Sequence, residues 1–266
     1  QPQMNVDLLS RVKMDHAMRL AMDQGLFRLH YQPQIALCDG RLLGVEALIR
    51  WRDVELGNVS PATFIPLAEE SGFIIIIGNW VMNEAVRQAV VWQTAGRPVV
   101  VSVNVSALQF QQGDFVERVA SAIGDAGLDP SLLELELTES ILIKDINETL
   151  ARLHALAALG VSLAIDDFGT GYSSLAYLKK FPISKLKIDR AFVMGLPADE
   201  GDRAIVGATI AMAQALKLSV VAEGVETDAQ RDFLQGLHCE AFQGFLCSPG
   251  LAAEDFEKLY ATLQRG

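Results

Sequence analysis

Short apolar runs alternate with amphipathic segments along almost the whole chain. Eight runs have the length and β-branched character of strands: Arg28 to Gln34, Leu43 to Arg50, Val99 to Val105, Leu133 to Thr138, Ser162 to Asp166, Lys185 to Ile188, Ser219 to Ala222, and a short one near Ala241. Between them the apolar period lengthens to that of a helix. Ser60-Pro61 reads as the N-cap and first position of one helix, and Leu150, Leu153, Leu156 and Ala157 mark another that ends at Gly160. Strand alternating with helix is the rhythm of a parallel sheet, and eight repeats predict a closed α/β barrel of the TIM-barrel-like (β/α)8 class. One irregularity stands near the start. The first two strands are joined by Cys38-Asp39-Gly40, a hairpin-type turn, so one antiparallel strand is expected there. The expected division is a leading helix over 1–26, a barrel core over 27–250 and a C-terminal helix over 251–266, forming one domain.

Composition narrows the function more than the fold. Half of the 266 residues are hydrophobic, yet no apolar run approaches the ~18 residues that cross a bilayer. The apolar stretch Ile74 to Ile77 is read as core rather than interface. A net charge of −11 argues against DNA or RNA held on a broad basic surface. An anionic ligand would need metal ions or local cations. Three cysteines, Cys38, Cys239 and Cys247, form no paired motif, which fits a reducing, cytoplasmic setting. With Gln1 at its head the chain reads as a fragment of a longer multidomain protein, whose missing parts are free to anchor it to a membrane.

Polar residues sit in or just after nearly every apolar strand: Glu46, Asn104, Glu136, Asp166 with Asp167, Lys187 with Asp189, Glu223 and Gln243. A barrel gathers the carboxyl ends of its strands on one face, so these side chains would share a pocket. Any one of them has a plainer explanation as a helix cap or solvated charge. Together they interrupt runs that would otherwise be buried, and burying unpaired carboxylates is costly. One lysine cannot neutralise that many acids. Hard divalent cations with oxygen ligands, Mg²⁺ or Mn²⁺, fit the donor set, and the adjacent Asp166-Asp167 pair suits a two-ion site for phosphate ester hydrolysis. Zinc fits poorly, because none of the four histidines is paired at ligand spacing. The glycines of Phe168-Gly169-Thr170-Gly171 mark a tightly turned or mobile loop, or an ordinary connection in which Ser173 or Ser174 caps the next helix.

Taken in order, Tyr31-Gln32-Pro33, Glu46-Ala47-Leu48-Ile49-Arg50-Trp51, Asn104-Val105-Ser106, Glu136-Leu137-Thr138-Glu139-Ser140, Asp166 to Gly171, Lys185 to Asp189, Ala222 to Glu226 and Gln243-Gly244 resemble the EAL family of cyclic di-GMP phosphodiesterases. The resemblance runs from about Leu29 to Pro249. It implies two-metal hydrolysis of cyclic di-GMP to linear pGpG. Glu46, Asn104, Glu136 and Asp166 would hold one Mg²⁺ or Mn²⁺ ion, and Asp166, Asp167 and Glu223 the second. Lys187 would hold the attacking water, with Glu223 as an alternative general base. Glu226 and Gln243 would position water, while Gln32, Leu48, Arg50 and Asp189, together with Glu46, would line the substrate site, Arg50 meeting a phosphate and Gln32 a guanine edge. Glu139 would brace the loop of Gly169, Thr170 and Gly171, beside which related domains form homodimers; its plainer alternative is a solvated helix start. The chain departs from the family pattern where Ser248 runs directly into Pro249 without an intervening basic residue.

Two other functions compete. A catalytically weak cyclic di-GMP receptor would show lost metal ligands or a lost glycine loop, and neither loss is present. A Schiff-base barrel built on Lys187 would need a lysine activated by desolvation, whereas an acid-lined pocket strengthens its hold on the proton.

Overall fold

The computed structural model describes residues 2–143, 145–169 and 178–263, with side chains from residue 11 onward except at 142–143. Nine strands form one sheet: β1 (Phe27–Ala36), β2 (Leu42–Asp53), β3 (Gly57–Val59), β4 (Val100–Val105), β5 (Leu133–Thr138), β6 (Ser162–Phe168), β7 (Lys185–Ile188), β8 (Ser219–Ala222) and β9 (Ala241–Phe242). Their order is β1-β9-β8-β7-β6-β5-β4-β2-β3, and an added β1–β2 pairing closes eight of them into a barrel. Strand β1 is antiparallel to both of its neighbours, β2 and β9, whereas β2, β4, β5, β6, β7, β8 and β9 run parallel in turn. The expected reversed strand is therefore present. Strand β3, which no apolar run announces, is a three-residue flap paired to the end of β2.

The alternation within each strand decides what the barrel holds. In β5, Leu133, Leu135 and Leu137 are fully buried against the surrounding helices, while Glu134 and Glu136 point inward. Helices over Pro61–Ser71, Ile74–Thr94, Phe115–Ala126, Ile146–Ala158, Glu200–Leu216, Asp228–Gly236 and Ala253–Leu263 cover the outside. Several carry visible start signals. Pro61 occupies the first turn after Ser60, although the Ser60 hydroxyl makes no cap bond. Thr227 and Gln230 form a reciprocal capping box. The Ile74 to Ile77 run opens a helix, burying Ile74 and Ile77 on its inner face and leaving Ile76 half exposed. Below them Trp92 packs edge-on against Tyr31, with ring centres 4.9 Å apart, and tilted against Phe256 at 5.0 Å, tying the C-terminal helix to the barrel wall.

Candidate active site

Inside the barrel the polar side chains lie in two layers. The lower one is a closed floor. Lys185 Nζ lies 2.7 Å from Glu134 Oε1 and donates to Gln34 Oε1 at 3.2 Å, and Ser102 Oγ donates to the same Glu134 oxygen at 2.7 Å. The upper layer, two residues nearer the carboxyl ends on the parallel strands, contains the predicted site. Lys187, wholly buried, is its centre: its Nζ lies 2.6 Å from Glu136 Oε2, 2.6 Å from Glu223 Oε1, 3.3 Å from Asp166 Oδ1 and 3.4 Å from Glu46 Oε2. Four carboxylates from four strands or strand ends thus meet one ammonium. Asn104 Nδ2 donates to Glu46 Oε1 at 2.6 Å. Gln243 Nε2 donates to Glu46 Oε2 at 2.5 Å and to Gln32 Oε1 at 3.0 Å, and Gln32 Nε2 donates to the Ser248 carbonyl at 3.1 Å.

The charges in this layer are unbalanced. Burial works against protonated Lys187, but Glu136, Glu223 and Glu46 outweigh it and hold its pKa well above the ordinary lysine value. Burial likewise pushes Glu46 up, yet Lys187 and the amides of Gln243 and Asn104 bring it below the ordinary carboxylate range. For Glu136 burial, joined by the charge of Glu46, prevails over Lys187 and raises it well above that range. Burial together with Asp166 and Glu46 takes Glu223 to about 8. Asp167, with a backbone φ of 53°, is raised to about 7 by burial, by its hydrogen bond with Asp189 and by neighbouring Asp166. Burial first, and the crowding of like charges second, raise Glu136, Glu223 and Asp167, because one lysine offers too little positive charge to offset both.

A divalent ion fits this donor set. Among the described residues no donor reaches the buried acceptors Glu136 Oε1 and Gln243 Oε1. One oxygen each from Asp166, Asp167 and Glu223 lies within 4.8 Å of the others. Every available ligand is a hard oxygen, and the charge excess is negative.

The remaining expected residues fall around this centre. Glu139 is buried just past β5, and its Oε2 accepts from the Gly169 amide at 3.4 Å. Leu48 and Arg50 line an apolar cleft of about 340 Å³ that reaches Asn104 and Thr138. Asp189 Oδ1 caps the turn that follows β7 by accepting from the Ala191 amide at 2.6 Å. Glu226 stands apart from the buried network, paired at the surface with Arg190 at 2.9 Å. Thr170 and Gly171, like Ser173 and Ser174, lie outside the described residues.

Sequence reasoning missed the floor layer. Its signal was present as the same two-residue alternation, with Glu134 before Glu136, Lys185 before Lys187 and Ser102 before Asn104.

The EAL domain family model matches residues 15–250. The chain belongs to the EAL domain family. Among curated relatives of this EAL domain, the bifunctional diguanylate cyclase/cyclic di-GMP phosphodiesterase MucR of Pseudomonas aeruginosa is 45% identical over 252 residues, covering 94% of the chain and 37% of MucR. The cyclic di-GMP phosphodiesterase NbdA of the same organism is 45% identical over 262 residues, covering 97% of the chain and 34% of NbdA. The chain therefore spans about a third of the length of these relatives. A solved structure of the PaMucR phosphodiesterase in complex with c-di-GMP superimposes with a TM-score of 0.89 at 46% identity, covering 92% of this chain and 99% of that one. The EAL enzyme Bd1971 in its cAMP-bound form gives 0.90 at 33% identity, covering 98% of this chain and 74% of that one.

Proposed function

We propose that this EAL domain hydrolyses one phosphodiester of cyclic di-GMP to give linear pGpG, using two divalent ions, Mg²⁺ or Mn²⁺. The observation that carries the reading is the convergence of Glu46, Glu136, Asp166 and Glu223 on Lys187, with a buried Glu136 oxygen that no donor among the described residues reaches. In this reading Glu46, Asn104, Glu136 and Asp166 would hold one ion, and Asp166, Asp167 and Glu223 the other. When bound, the ions would supply Lewis acidity toward the phosphate and a nucleophile at neutral pH. The domain supplies orientation. Lys187 keeps its proton and donates to the attacking water, Gln243 fixes Glu46 while linking it to Gln32, and Arg50 takes a charge-assisted contact to a phosphate. Gln32 and Leu48 face the nucleotide, Asp189 and Glu226 order the rim, and Glu139 braces the loop through the Gly169 amide.

The domain acts as a homodimer whose contact is linked to that loop, and it works in the cytoplasm, in keeping with three free thiols. Among the described residues no helix is long and apolar enough to cross a membrane. The test is incubation with cyclic di-GMP and Mn²⁺ or Mg²⁺ followed by chromatography. Appearance of pGpG is the expected result, and unchanged cyclic di-GMP at high enzyme concentration would refute the assignment.

A further inference from the structure

Strands β1 and β2 pair with Gln32 opposite Glu46, His30 opposite Leu48 and Arg28 opposite Arg50. Residues directly opposite in an antiparallel pair share a face, so Arg28 and Arg50 stand on the face that presents Glu46 to the barrel mouth. The next position outward on β2 on that face is Arg52, which pairs with Asn58 of β3. Two residues along a strand cover about 7 Å, so the ribbon rises from the metal-binding layer as a ladder whose upper rungs are three arginines.

Two arginines directly opposite repel each other. No carboxylate lies within ion-pair distance of Arg28, Arg50 or Arg52 among the described residues, although the chain carries 33 acids against 22 bases. All three line a single cleft of about 870 Å³, together with His30, Asn58 and Ser60, and no acidic residue lines it. Their conformations leave donors available. Arg28 Nη1 is spent on the carbonyls of Gly25 and Phe27, and Arg50 Nη1 on that of Ile49, while among the described residues no hydrogen bond engages the Arg52 guanidinium. Gly250 admits Arg50 closely: a Cβ built there would stand 3.3 Å from Nη2.

From this we propose that Arg28 and Arg52 complete, with Arg50, an oxyanion-docking ribbon that holds the phosphodiester of the substrate not being cleaved and draws the dianion toward an otherwise acidic mouth. Arg28 and Arg52 are binding residues on this assignment, and it rests on cyclic di-GMP being the substrate. A field of three uncompensated cations beside the metal layer offsets the repulsion that a chain of charge −11 exerts on a nucleotide.

The experiment compares wild type with Arg28→Gln, Arg52→Gln and the double variant, with Arg41→Gln as the control. Arg41 is exposed and pairs with Asp39 beyond the other end of the same ribbon, so it removes the same charge elsewhere. Cyclic di-GMP affinity is measured by calorimetry in Ca²⁺ and turnover in Mn²⁺, each from low to high salt. Each single variant should raise Kd and KM about three- to fivefold and the double at least tenfold, with kcat within twofold and a shallower salt dependence. A double variant with wild-type Kd and salt dependence, or an equal effect from Arg41→Gln, overturns the proposal. Altered preference between cyclic di-GMP and cyclic di-AMP at unchanged salt dependence also overturns it, by assigning the arginines to a base edge. Absence of any binding by wild type would instead overturn the substrate assignment beneath it.

Discussion

Lys187 makes contacts that are unfavourable one at a time and coherent together. Burying an ammonium is costly, and so is burying each of the acids around it, but four carboxylate oxygens within 2.6 to 3.4 Å make the cluster self-supporting with negative charge to spare. That surplus predicts strict metal dependence. EDTA should abolish pGpG formation, and Mg²⁺ or Mn²⁺ should restore it. Ca²⁺ should support nucleotide binding better than turnover, since its longer bonds suit the proposed two-ion site poorly; full activity in a chelated sample would contradict this. The same surplus separates two neighbours on β2. Glu46→Ala removes a proposed ligand that Asn104, Gln243 and Lys187 all hold in place, and the rate should fall by orders of magnitude. Arg50→Ala removes no ligand, so it should mainly weaken substrate capture, by about 1.5–3 kcal/mol for a lost charge-assisted contact. Steady-state kinetics of the two variants side by side check the split. The upper-layer residues were legible in the sequence because each interrupts an apolar run. What a linear sequence cannot give is the pairing, such as Gln32 with both Gln243 and the Ser248 carbonyl, which depends on how β1 meets β9.

At the scale of elements, the strands themselves were nearly all legible, because β-branched runs bounded by helix signals leave little choice of element. Strand β3 was not. Its three residues, Gly57-Asn58-Val59, have no apolar period, and only pairing with Trp51, Arg52 and Asp53 makes them a strand. The floor of the barrel was overlooked for another reason: a lysine and a glutamate at the start of strands read as surface residues until closure turns them inward. With Glu134 at 3% and Lys185 at 16% side-chain exposure, the pair is buried enough that removing one partner leaves the other uncompensated. Glu134→Gln should therefore lower stability by about 3 kcal/mol in chemical denaturation, and Lys185→Met in the Glu134→Gln background should recover part of the loss. The turn after β9 offers a steric prediction. A Cβ at Gly244 would collide with the Val225 backbone, its carbonyl oxygen first, so Gly244→Ala must displace backbone next to Gln243 and should lower the melting temperature and activity together. Loop bracing is tested at Glu139. In Glu139→Ala, weakened Mg²⁺ affinity and activity with an intact fold support the brace, and wild-type values in both refute it.

For the whole molecule, mass measurements on wild type and Glu139→Ala would show whether self-association depends on the braced loop: a dimer in the first and a shift toward monomer in the second is the expected outcome. The ring of strands is thinnest at β9, which shares two residue pairs with β8 and two with β1. Strands β1 and β9 share only the pairs Ile35 with Phe242 and Ala36 with Ala241, extended by a single bridge from Tyr31 to Leu251. Partners on the two sides of the β1–β9 join lie some two hundred residues apart in the chain, as Gln32 and Gln243 do. During synthesis the first strand must therefore wait, with its hydrogen-bonding edge unmet, until the last one leaves the ribosome. The Glu46–Gln243–Gln32–Ser248 chain of contacts crosses that same join, so this part of the upper layer is complete only with the final closure of the barrel. Amide exchange should run fastest, among the barrel strands, at Ile35 and Phe242, and cyclic di-GMP should slow it there, because a ligand gripping both sides acts as a clasp on the last seam to shut.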